Sequence, residues 1–184
     1  MVRVISGAAK GHRLKTVKGL SVRPTSDRVK EALFSIIASY VPGACVLDLF
    51  AGTGNLGIEA LSRGASFAVF VDKNPACVDT IKENLARTGF ADKAQVLAFE
   101  ASKALKTLSS LNQRFSVILL DPPYNKNFVE KTLKIIDEND IISCDGIIIA
   151  ERDIDDNVGE KVGRLKLMRN EKYGNTVLSF YMPE

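Results

Sequence analysis

The sequence predicts an α/β protein built on a doubly wound, mainly parallel sheet. Short apolar runs alternate with longer segments of helical periodicity, which is the pattern of parallel strands joined by helices. An acidic residue directly follows several of these runs, at the edge where such a sheet binds its ligands. The 184 residues, 46% of them apolar, suffice for one domain with a substantial core.

The first elements predicted along the chain are a small hairpin and a helix. Segments 2–5 and 13–17 have β patterns and are separated by a glycine-containing turn. Thr25 or Ser26 then provides the cap of a helix that extends to about Tyr40. We expect both elements to pack on the main sheet.

The same region is basic. Residues 1–40 contain eight lysines and arginines against two acids, whereas residues 41–184 contain three more acids than bases. We therefore predict a basic amino-terminal extension, 1–40, on a core domain, 41–184, and a polyanionic partner such as RNA. The side chains predicted to meet the RNA are Arg3, Lys10, Arg13, Arg23, Arg28 and, near the other end of the chain, Tyr173.

A glycine-rich loop follows the first strand of the core, an apolar run over residues 45–50. Gly52, Gly54 and Gly57 spell G-x-G-x-x-G, which brings backbone N–H groups close to a ligand at a helix start. NAD-binding proteins share this spacing. Asp48, just before the loop, would repel a pyrophosphate but attract a cationic amino-acid group. The loop therefore favours S-adenosylmethionine over NAD.

Acidic residues also follow the next two predicted strands. Asp72 follows the strand over residues 67–71, where a carboxylate can accept hydrogen bonds from both ribose hydroxyls. It could instead be a turn residue before the helix that Asn74 caps. Glu100 follows the strand over residues 94–99. It could accept from the adenine amine, or it could only favour the dipole of the helix that follows it.

The most specific motif is Asp121-Pro122-Pro123-Tyr124, directly after the apolar run 115–120. The prolines fix φ and remove two backbone donors, so the loop is stiff and its carbonyls stay free to accept. An acceptor side chain, a carbonyl and an aromatic ring suit a planar base with an exocyclic amine. An ordinary Pro-rich turn is the alternative.

The last elements predicted are a helix over residues 128–138, a fifth strand over 146–150, and two strands over 163–169 and 176–181. Tyr173 and Gly174 lie in the connection between the last two strands.

With these residues in view, the whole chain resembles the bacterial small-subunit rRNA guanine-N2 methyltransferase family (RsmD-like, acting on guanine 966 of 16S rRNA). The matching stretches are 3–7, 11–14, 23–34, 47–64, 121–124 and 172–176. The glycine loop and Asp-Pro-Pro-Tyr occur in many amino-methylating enzymes. The Arg-Pro-Thr-x-Asp-Arg-Val block, which begins at Arg23, points to this family in particular.

The resemblance implies a Rossmann-like methyltransferase sheet of order 3-2-1-4-5-7-6 with its last strand antiparallel, and S-adenosylmethionine as cofactor. The implied cofactor contacts are Asp48, Phe50, Ala51, Gly52, Thr53, Gly54, Asp72, Lys73, Glu100 and Ala101. The implied catalytic residues are Asp121, Pro122, Pro123 and Tyr124. The implied substrate is 16S rRNA within the small ribosomal subunit or its precursor.

Two other functions remain open from the sequence. A DNA adenine-N6 methyltransferase would use a chemically equivalent Asp-Pro-Pro-Tyr site, but the chain leaves little room for a separate target-recognition domain. A catalytically silent S-adenosylmethionine- and RNA-binding module would not need the intact Asp121 and Tyr124.

The three cysteines are isolated and no apolar run is long enough to span a membrane. We therefore expect a cytoplasmic protein without a metal, a membrane contact or a stable protein partner.

Overall fold

The computed structural model describes residues 2–17, 27–122 and 128–184. Five α-helices and eight strands occur in these ranges. The helices are α1 (Asp27–Ile36), α2 (Asn55–Ser62), α3 (Pro75–Thr88), α4 (Ala101–Ser110) and α5 (Phe128–Glu138). The strands are β1 (Cys45–Asp48), β2 (Phe67–Val71), β3 (Ala94–Leu97), β4 (Phe115–Leu120), β5 (Ile142–Asp153), β6 (Lys161–Val162), β7 (Leu165–Tyr173) and β8 (Thr176–Pro183).

The strands form one sheet in the order β3-β2-β1-β4-β5-β8-β7-β6. The first five are parallel to their neighbours, and β8 runs antiparallel beside β5. This confirms the predicted order. The two-residue strand β6, which the sequence analysis did not predict, pairs with the start of β7. The predicted sixth and seventh strands are therefore β7 and β8 in the structure.

Helices cover both faces of the sheet. Helices α1, α2 and α3 pack on one face through apolar side chains such as Leu33, Ile58 and Ile81. Helices α4 and α5 pack on the other face through residues such as Leu105 and Leu133. Because the central strands are buried on both sides, they read as continuous apolar runs rather than as alternating patterns.

The structure corrects several predicted boundaries. Helix α1 ends at Ile36 rather than near Tyr40, and its predicted caps, Thr25 and Ser26, lie outside the described residues. The amino-terminal hairpin is shorter than two full strands. It consists of one bridge between Arg3 and Arg13, supported by backbone hydrogen bonds on either side of it. The division of the chain at residue 40 stays a prediction.

Strand β5 is longer than predicted at both ends, since Ile142 pairs with Phe115 before a register shift and the polar residues 151–153 pair with β8. Its carboxyl end continues to Asp153, which pairs with Thr176 of β8. The turn between β7 and β8, which contains Gly174, therefore lies at the same edge of the sheet as the carboxyl ends of β4 and β5. That edge carries the candidate site.

Candidate cofactor and substrate site

Asp48, the last residue of β1, lies beneath the glycine loop and is only 1% exposed. Its Oδ2 accepts a hydrogen bond from the backbone N–H of Gly57 in α2, at 2.9 Å. Burial raises the pKa of this carboxyl group to about 7, although the Gly57 N–H favours the charged form. Asp48 thus holds the helix that follows the loop, and it keeps a carboxyl group under the loop.

The glycine loop, residues 51–54, turns sharply between β1 and α2. Gly52 and Gly54 have φ of +54° and +79°, a region that side chains with a Cβ rarely adopt. A Cβ added to Gly52 would meet no atom within 4 Å, so the loop is open on that side. The Ala51 N–H donates to the Val71 carbonyl at 2.9 Å and fixes the loop to the end of β2.

Asp72, directly after β2, is tied to the same loop. Its Oδ2 accepts from the Gly52 N–H at 2.8 Å, and its Oδ1 accepts from the Asn74 N–H at 2.8 Å. Asp72 therefore shapes the turn before α3 and also holds the glycine loop, while its contact with ribose hydroxyls stays a prediction. A carboxylate oxygen has two lone pairs, so each oxygen retains capacity for a further donor.

Glu100 lies immediately before α4 and does not cap it through its side chain. Instead, its Oε1 lies 3.2 Å from the Nζ of Lys73, and both side chains are mostly exposed. The pair joins the loops that follow β2 and β3, next to Ala101. Phe50, half-buried near the glycine loop, packs edge-on against Phe128 with 5.6 Å between ring centroids. All ten residues predicted to contact the cofactor therefore lie at or just after the carboxyl ends of β1, β2 and β3.

Asp121 and Pro122 follow β4, between the glycine loop and the end of β5. Leu120 is paired with Ala150, so Asp121 is next in line to Glu151 of the adjacent strand. Glu151 is only 5% exposed and adds a buried acid to this edge. Pro123 and Tyr124, the rest of the predicted catalytic motif, lie outside the described residues.

The residues predicted to meet RNA are distributed over two regions. Arg3, Lys10, Arg13 and Arg28 are exposed on the amino-terminal hairpin and on α1, and Arg23 lies outside the described residues. Arg3 Nε also donates to Asp27 at 3.1 Å. Tyr173 is half-buried at the turn between β7 and β8, at the edge that carries Asp121.

Three buried polar residues near the glycine loop were not predicted from the sequence. Lys30, Glu59 and Asn84 are each 0% exposed, and each bonds to the backbone of the amino-terminal hairpin. No local pattern identifies them, because lysine, glutamate and asparagine are usually solvent-exposed on helices.

Within the ranges that the structure describes, no helix is both long and apolar enough to cross a lipid bilayer.

Comparison with known proteins gives matches over the whole chain. The family described as conserved hypothetical protein 95 matches residues 2–182. A Bacillus subtilis protein, provisionally named rRNA methyltransferase YlbH, is 44% identical over 180 residues, 98% of each chain. Ribosomal RNA small subunit methyltransferase D of Escherichia coli K12 is 30% identical over 183 residues, 100% of this chain and 90% of the relative. The solved structure of Escherichia coli yhhF, provisionally named a methyltransferase, has a TM-score of 0.86 at 30% identity and covers 100% of this chain and 98% of that one.

Proposed function

Because the chain belongs to the conserved hypothetical protein 95 family, together with ribosomal RNA small subunit methyltransferase D, we propose that it methylates 16S rRNA. The reaction is transfer of a methyl group from S-adenosylmethionine to the exocyclic N2 of a guanine. One structural observation carries this proposal: Asp121 follows β4, the strand beside the one that leads into the glycine loop. The acceptor for the base and the loop for the cofactor thus share one edge of the sheet.

The residues at this edge fit S-adenosylmethionine. When bound, it supplies a methyl group on a positively charged sulfur, which is a good leaving group. The open side of Gly52 leaves space for the ligand beside the loop. Asp48 and Asp72 carry the carboxyl groups that suit its ammonium group and its ribose hydroxyls, respectively. Glu100, which lies beside Lys73, would accept from the adenine amine.

The substrate amine is a poor nucleophile because its lone pair is delocalised into the base. Hydrogen bonds from its two N–H groups to the Asp121 carboxylate and the Pro122 carbonyl would draw the nitrogen towards tetrahedral geometry. The same acceptors would stabilise the positive charge that develops on the nitrogen during transfer. Tyr124 would stack on the base and hold it in line with the methyl group. This chemistry needs neither a metal nor a protein nucleophile.

The basic extension would bring the enzyme to its RNA. Arg3, Lys10, Arg13 and Arg28 present exposed positive charge on the amino-terminal hairpin and α1, and phosphate contacts of this kind position a protein on RNA. An unpaired nucleotide in ribosomal RNA is the easiest to extrude, which favours a loop guanine over a duplex base. We place the enzyme in the cytoplasm, where small ribosomal subunits are assembled.

Methyl transfer to small ribosomal subunits that lack the modification tests the proposal. We expect labelled methyl from S-adenosylmethionine to appear as N2-methylguanosine in 16S rRNA after nucleoside analysis. Asp121→Ala should abolish this transfer while leaving cofactor binding nearly intact, because the proposed role of Asp121 is to bind the base and not the cofactor. Asp145→Ala, an exposed aspartate near the opposite edge of the sheet, is the matched control.

Two outcomes would contradict the proposal. Label found only as N6-methyladenine in duplex DNA would keep the fold and the chemistry but replace the substrate. Near-normal turnover by Asp121→Ala would remove Asp121 from the reaction.

A further inference from the structure

Two buried polar connections join the glycine loop to the backbone of residues 2–17, a segment that we call the arm. One connection passes through Asn84 of α3, and the other passes through Lys30 of α1. They reach the loop on either side of Gly54, at Thr53 and at Asn55. The arm carries three of the residues predicted to meet RNA, so these connections link the RNA side of the molecule to the cofactor side.

Asn84 makes the first connection with both ends of its amide group. Its Nδ2 donates to the carbonyl of Thr53 at 2.9 Å and to the carbonyl of Lys15 at 3.0 Å. Its Oδ1 accepts from the N–H of Lys15 at 2.8 Å. One buried side chain thus satisfies both polar groups of a residue in the arm and one carbonyl in the cofactor loop.

Lys30 makes the second connection from the other side of the loop. Its Nζ donates to the carbonyl of Arg3 and to Oδ1 of Asn55, each at 2.6 Å. It also pairs with Glu59 at 3.2 Å. Asn55 is the first residue of α2, directly after the loop. Since Arg3 is bridged to Arg13 within the arm, the two connections end on the two paired segments of the arm.

The arm is held against α2 at close range. Glu59 accepts from the N–H groups of Ile5 and Ser6 at 2.8 and 3.0 Å. Gly7 passes so near to α2 that an added Cβ would lie 1.7 Å from the carbonyl oxygen of Ser62. A shift of the arm would therefore break several buried hydrogen bonds together and leave their polar groups without partners, which is costly.

We propose that Asn84 is a positioning residue that fixes the glycine loop for S-adenosylmethionine only while the arm is docked on α2 and α3. This inference rests on the proposed function, since it assigns a role within the same cofactor site. The Thr53 carbonyl is held by a side chain whose other hydrogen bonds depend on the arm. Cofactor affinity therefore depends on a segment that also presents arginines and lysine to RNA.

The first test replaces Asn84 by aspartate, which has the same shape but lacks the two N–H donors. We expect Asn84→Asp to weaken binding of S-adenosylhomocysteine, measured by titration calorimetry, by about fivefold or more, the effect of losing one net hydrogen bond. Asn139→Asp is the matched control, because the Asn139 side chain donates to the Ile135 carbonyl at the end of α5, away from the loop.

Steady-state kinetics separate positioning from a general structural defect. A misplaced loop should raise KM for S-adenosylmethionine by a similar factor and leave kcat at saturating cofactor within about twofold. Partial unfolding would instead lower kcat in proportion to the lost active fraction and leave KM unchanged.

The second test moves the arm without touching Asn84 or the loop. Gly7→Ala should push the arm away from Ser62 and weaken S-adenosylhomocysteine binding as Asn84→Asp does. Gly11→Ala is its control, since Gly11 has a similar φ of +88° against +84° for Gly7, but its added Cβ would meet no atom within 4 Å. The control carries the same backbone strain without displacing the arm.

The outcomes distinguish this inference from the proposed function. Wild-type affinity in Gly7→Ala would overturn the inference, whether or not Asn84→Asp folds. Weaker binding in Gly7→Ala with normal binding in Gly11→Ala would support it. Failure of the unmodified protein to bind S-adenosylhomocysteine would instead overturn the proposed function.

Discussion

At the residue scale, Asp48 shows how one carboxyl group can serve both fold and function. It is buried and accepts from the Gly57 N–H, and its pKa of about 7 means that the protein without cofactor holds it partly protonated at neutral pH. A cationic group bound beside the loop would favour its charged form. Binding of a cationic cofactor group would therefore shift Asp48 from partly protonated to fully charged.

This pKa predicts how stability depends on pH. The pKa of Asp48 is raised in the folded state, so its favourable contribution is complete below about pH 4 and is lost as pH rises through about 7. The amide side chain introduced by Asp48→Asn stays neutral at every pH in this range. The free energy of unfolding of the variant, relative to that of the unmodified protein, should therefore rise by roughly 1–3 kcal/mol as the pH is raised from about 5 to about 8.

Urea denaturation of both proteins without cofactor, at these two pH values, measures this change. The comparison cancels the other titrating groups, which the two proteins share. A stability difference that is the same at both pH values would show that Asp48 does not titrate between them.

At the element scale, the packing of α1 and α2 against the arm depends on a buried ion pair. Lys30 and Glu59 both have fully buried side chains, and burial lowers the pKa of Lys30 while Glu59 opposes that shift. Loss of Lys30 would leave Glu59 desolvated, with Arg63, at 2.8 Å, as its remaining cationic partner. The elements around the cofactor loop are therefore sensitive to single polar substitutions.

We expect Lys30→Met to lower the free energy of unfolding by about 3 kcal/mol, the lower end of the range for a broken buried pair, because Glu59 loses its lysine but keeps Arg63. The exposed pair of Lys134 with Glu130 in α5 provides the control. Lys134→Met should cost less than about 1 kcal/mol, the usual value of a surface ion pair. Urea denaturation measures both variants, and equal effects would mean that the buried pair contributes no more to stability than the exposed one.

The same elements show what the sequence alone can predict. Strands β1, β2 and β4 and the acids at or directly after their ends were predicted because each signal is local, an apolar run with an acid at its end. The burial of Lys30, Glu59 and Asn84 was missed because their partners lie far away along the chain. Asn84, for example, bonds to a residue 69 positions away. Their burial follows from how the arm docks, which no local periodicity encodes.

At the scale of the whole molecule, the two faces of the sheet are covered by different elements. The arm and α1, which belong to the basic extension, cover one face together with α2 and α3, whereas α4 and α5 cover the other face. The strand order could be predicted from the resemblance to methyltransferases, whose sheets close with an antiparallel hairpin. The short edge strand β6 could not, because two residues carry no pattern.

This asymmetry predicts that RNA binding depends on salt through one face only. Lys10→Ala combined with Arg13→Ala removes two exposed charges from the arm, and each phosphate contact releases a counterion. The slope of log K against log salt concentration should fall in magnitude by about 1.5 for these two contacts. Lys106→Ala combined with Lys131→Ala, exposed on α4 and α5, should leave the slope unchanged. Filter-binding titrations of a 16S rRNA fragment at several salt concentrations give the slopes. An equal fall in the slope for both double variants would mean that RNA binding depends on the net charge of the molecule and not on the arm.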